Sequence, residues 1–116
     1  MSRFAPLAAL AAFGLTLSAC AQPTPQEQEA DRIKDAAEAQ ADQIEAEADN
    51  QAAALESQAA EMVNASGVGG SYDAQMAKVR SDALKQEAEL VKEKAEAQAR
   101  AVRDQGQAQA SALLAQ

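Results

Sequence analysis

Gln26 to Asn64 reads QEQEADRIKDAAEAQADQIEAEADNQAAALESQAAEMVN, thirty-nine residues without proline or glycine and dominated by Ala, Glu and Gln. These are among the strongest intrinsic helix formers, so local propensity alone favours one long helix. Its larger aliphatic residues, Ile33, Ile44 and Leu55, stand eleven apart. Ala37 and Ala41, Ala48 and Ala52, and Ala59 and Val63 follow them at four and eight residues. Eleven residues in three turns is about 3.67 per turn, so the small apolar stripe runs nearly straight or winds weakly to the right. A left-handed heptad coil fits this spacing less well.

The start of that helix is written just upstream. Thr24, Pro25, Gln26 and Glu27 place an N-cap, a proline at the first helical position and a glutamate three residues after the cap. This is the order of a capping box. Downstream, Ala65 to Tyr72 holds three glycines and two serines, which end the helix and let the chain reverse. Ser71 or Asp73 can then cap a second helix. Its stripe passes through Leu84, Ala88, Val91, Ala95, Ala99, Val102, Gly106, Ala110 and Leu113, again at four and three residue steps. Gly106 weakens a helix by about 1 kcal/mol relative to alanine, which predicts fraying beyond it unless a neighbouring backbone comes close.

The fold class expected is therefore all-α: two long alanine-rich helices with eleven-residue repeats, forming an antiparallel hairpin or a coiled-coil-like oligomer. The expected organisation is a leader over residues 1–19, a tethered cysteine over 20–25, helix over 26–64, a glycine-rich turn over 65–72 and helix over 73–115. A seam of small side chains captures little apolar area, so self-association or a protein partner through the alanine stripes is expected.

Composition narrows the function. The chain has 116 residues, no histidine or tryptophan and one cysteine, so it can assemble neither a disulfide framework nor a His/Cys metal cluster. Its net charge is −8, which disfavours nucleic acid and anionic lipid surfaces as partners. Gln26 to Asn64 holds eleven acids against Arg32 and Lys34, whereas Ser71 to Gln116 holds seven charges of each sign. An antiparallel hairpin would set Lys78, Lys85, Lys92, Arg100 and Arg103 against the acidic helix.

These carboxylates do not read as an active site. Acid–base work needs two acids in different environments within a pocket, and helical spacing here puts them on a solvated face. Asp31, Asp35, Asp42 and Asp49 lack the turning loop that converges ligands on a calcium ion. The glycine cluster lacks the preceding strand and following lysine of a phosphate loop. Asn64-Ala65-Ser66 matches a glycosylation triplet but serves better as a helix end. No catalytic residue, cofactor, metal or small-molecule substrate is expected.

The N-terminus carries a different signal. Met1 to Arg3 is a short positive start, Phe4 to Leu17 is an apolar run, and small residues follow, which is the order of a secretion signal. The run is shorter than the roughly 20 residues that span a bilayer. Leu17, Ser18, Ala19 and Cys20 then resemble, at every position, the lipobox of bacterial lipoproteins. The resemblance implies recognition of Leu17, Ser18 and Ala19 by the signal peptidase and cleavage between Ala19 and Cys20. It further implies a diacylglycerol thioether on Cys20 and acylation of the new amine, with palmitate-like chains giving stable anchoring. Ala21 stands where an aspartate would favour inner-membrane retention, so the resemblance points to the outer membrane, facing the periplasm.

At the level of class, the leader, lipobox and helical habit are similar to the alanine-rich major outer-membrane lipoprotein, which forms helical trimers. That family joins peptidoglycan through a C-terminal lysine, whereas this chain ends Leu113-Leu114-Ala115-Gln116, so wall attachment does not carry over. Three functions follow as expectations: a structural or spacer element of the cell envelope; a tethered helical binding module, accessory or inhibitor, docking a partner of an envelope complex; or a rod that is partly disordered alone and folds on binding.

Overall fold

The computed structural model describes residues 22–67 and 70–116. They form two antiparallel helices, α1 (Pro25–Ser66) and α2 (Tyr72–Leu114), packed along their length. The antiparallel order follows from what meets across the seam: Ala37 faces Gly106, and Ala48 shares a groove with Ala95, so eleven residues forward on one helix match eleven back on the other.

Each helix starts where the chain supplies a cap. Thr24 accepts from Glu27 N at 3.2 Å while the Glu27 carboxylate accepts from Thr24 N at 2.7 Å, closing the capping box ahead of Pro25. Of the two candidates for the second cap, Ser71 is used: its hydroxyl accepts from Ala74 N at 3.2 Å. α1 continues two residues past Asn64 because Ser66 donates its hydroxyl to the Val63 carbonyl at 2.9 Å, prolonging the last turn. Gly67 ends it at φ 71°, a backbone state that costs a side chain dearly. α2 correspondingly begins at Tyr72, directly after its cap, and closes at Leu114.

The core is almost entirely alanine. Ala30, Ala37, Ala41, Ala48, Ala52 and Ala59 of α1 are buried against Ala88, Ala95, Ala99, Gly106 and Ala110 of α2. Ser81 joins them at 1% exposure, its hydroxyl without a hydrogen-bond partner. Two expectations are corrected here. Val63 is 43% exposed although it keeps the repeat. Helix α2 does not fray beyond Gly106: Ala110 is fully buried and Leu113 half-buried, since the missing side chain lets α1 approach closely.

The larger aliphatics of the seam, Ile33, Ile44, Leu55, Leu84, Val91 and Val102, are only half-buried. A buried methyl-sized group contributes about 0.8 kcal/mol and a fully buried Leu, Ile or Val about 1.5–3 kcal/mol. The hairpin thus buries its smallest apolar groups and leaves its largest at the rim.

Candidate functional site: the charged face of the hairpin

The eleven-residue repeat also places charge. Glu45 and Glu56 stand eleven apart on α1, and Lys92 and Arg103 stand eleven apart on α2, so the antiparallel register brings Arg103 to Glu45 and Lys92 to Glu56. Lys92 Nζ lies 3.4 Å from Glu56 Oε1.

Arg103 is the denser centre. Its Nη1 donates to Glu45 Oε1 at 2.8 Å, its Nε to both oxygens of Glu38 at 3.0 Å, and its Nη2 to Asp42 Oδ1 at 3.1 Å. Glu38, Asp42 and Glu45 fall four and three residues apart, which sets them on one flank of α1. The hydrogen bond from Arg103 holds the Glu45 carboxyl below its ordinary range; burial opposes this and the guanidinium charge adds to it. Hydrogen bonding to Glu45 raises the Arg103 guanidinium further above its already high value, against burial and with help from Glu38. Glu45 and Arg103 each favour the other's charged form, so the pair is an electrostatic clasp between the helices.

Beside it runs an open groove of about 600 Å³ whose lining includes Glu45, Asp49, Lys92, Glu96, Arg100 and Arg103. Of the cations expected to oppose the acidic helix, Arg103 and Lys92 do so; among the described residues Lys78, Lys85 and Arg100 form no ion pair. Sequence counting by helix missed this selection, although the shared eleven-residue spacing of Glu45 with Glu56 and of Lys92 with Arg103 carried it. Among the described residues Asp31 pairs only with Lys34 on its own helix, at 3.8 Å. Among the described residues no group of three His, Cys, Asp or Glu side chains is placed to hold a metal ion.

The opposite face is close to neutral in net charge. Around the same alanine seam its grooves are lined by Gln40, Gln51, Gln98, Gln105 and Gln109, with Glu47 and Lys94 as a pair of opposite sign. Leu17, Ser18, Ala19 and Cys20 lie outside the described residues. No protein-family model, curated protein or solved structure is matched by the chain.

Proposed function

We propose that the mature protein is a lipoprotein of the bacterial envelope, attached to the outer membrane through Cys20 and facing the periplasm, where its hairpin serves as a structural spacer. The observation that carries this reading is Leu17-Ser18-Ala19-Cys20 following an apolar leader and lying only four residues before the capped start of a long rod.

The geometry of the rod suits the role. Forty-two residues of α1 at 1.5 Å rise extend about 63 Å, and the antiparallel return of α2 brings its C-terminal end back beside Thr24. Anchored at Cys20, the hairpin would hold the Gly67 turn far from the lipid and keep both helix ends near it. No helix among the described residues is long and apolar enough to cross a membrane, and in this reading attachment is assigned to the acyl chains.

The test is fractionation of the full chain made in a bacterial host, beside Cys20→Ser. The reading expects the unsubstituted protein in the outer-membrane fraction and the variant lost from it. An unsubstituted protein found entirely in the soluble periplasmic fraction overturns it.

A further inference from the structure

The neutral face repeats. One groove on it is lined by Ile33, Gln40, Val102 and Gln109; the next, eleven residues along each helix, by Ile44, Gln51, Val91 and Gln98. Their volumes, about 270 and 280 Å³, are nearly equal. The half-buried Ile33, Ile44, Val91 and Val102 all lean to this side of the seam. The charged groups lie mainly on the other side, so the hairpin is itself amphipathic across its two faces.

We propose that this Ile/Val/Gln face is a homodimer interface, on which a second copy of the chain sits face to face to complete an antiparallel four-helix bundle. Two helices lying about 9 Å apart and running about 60 Å present roughly 1,000 Å² per copy. A stable interface needs about 800 Å² per partner, so the area suffices. Covering the face buries the larger aliphatics that one hairpin leaves half-exposed, and the glutamines can pair with each other across the symmetry axis.

Charge selects the symmetry. The ionised groups on this face include Glu47 of α1 and, on α2, Lys94, Arg80 and Glu87, the last eleven residues before Gln98. Glu47 and Lys94 line one groove and so stand at one height. None of the four forms an ion pair inside the hairpin among the described residues. A two-fold axis parallel to the helices lays α1 of each copy over α2 of the other at unchanged height, which brings Glu47 to Lys94 of the second copy. A two-fold across the helices would instead lay α1 on α1 and α2 on α2, which sets Glu47 of each copy against the other acidic helix and takes Lys94 away from it.

The experiment places photo-reactive p-benzoylphenylalanine at Gln51 on the neutral face, and separately at Gln107 on the charged face, in the full-length chain in a bacterial host. Expected on illumination is a covalent species of twice the chain mass from position 51 alone, with the cross-link mapped to α2 of the second copy between Lys92 and Gln98. No such species, an equal yield from position 107, or a cross-link to a different protein overturns the dimer; a cross-link landing on α1 overturns its symmetry. Lys94→Glu is expected to lower the yield from position 51 several-fold and Glu47→Lys in the same chain to restore it. Failure of the second change to restore it contradicts the Glu47 to Lys94 pairing.

Discussion

At the scale of single residues, the tightest constraint is the one side chain that is missing. A Cβ on Gly106 would overlap that of Ala37, while the Ile33 carbonyl would stand at ordinary contact distance. Gly106→Ala gains about 1 kcal/mol of helix propensity but forces the helices apart, and overpacking of this kind costs about 1–3 kcal/mol. Thermal melts followed by circular dichroism should therefore show Gly106→Ala less stable than the natural chain, and Ala37→Gly added to it should recover part of the loss. Arg103 supplies a second test. Because the folded state holds Glu45 below the ordinary carboxylate range, the stabilisation from the Arg103 clasp is complete above that range and is lost as pH falls through the lowered value. Glu45→Gln removes this contribution, so the stability difference between it and the natural chain should be present at pH 7 and vanish in acid. A difference that persists or grows in acid would show that Glu45 acts otherwise.

At the scale of the element, the ends of the helices follow from a few side chains. Loss of an N-cap hydroxyl typically costs about 1 kcal/mol, and Thr24 also anchors the reciprocal bond with Glu27. Thr24→Ala is expected to lower the melting temperature and to fray the first turn of α1, read as faster amide exchange at Glu27 and Gln28. Caps, turn and the eleven-residue stripe were legible in the sequence because each rests on local chemistry: Thr24 with Glu27, the cluster from Gly67 to Gly70, and alanines at fixed spacing. The rim position of Ile33 and Ile44 was not, since periodicity sets a side of the helix but not how closely the partner approaches. The burial of Gly106 and the choice of Arg103 over Lys85 or Arg100 likewise depend on the register between helices, which short-range patterns leave open. The Cys20 anchor is proposed from Leu17, Ser18 and Ala19 as a matter of processing chemistry, apart from the fold.

At the scale of the whole molecule, an all-α hairpin with an alanine core joins a chain segment that reads as a leader and lipobox. The two parts divide the work: Cys20 would fix where the protein sits, and the paired helices would fix how far it reaches from that point. The hairpin's charged face suits water, while its neutral face is the one that would gain from a second copy. The central claim is the anchor, and it is tested most directly by the intact mass of the mature protein purified from bacterial membranes. The account predicts a chain beginning at Cys20 and carrying the added mass of a diacylglycerol group, with or without a further acyl chain on the amine. An unlipidated chain, or one cleaved at any other residue, would contradict it.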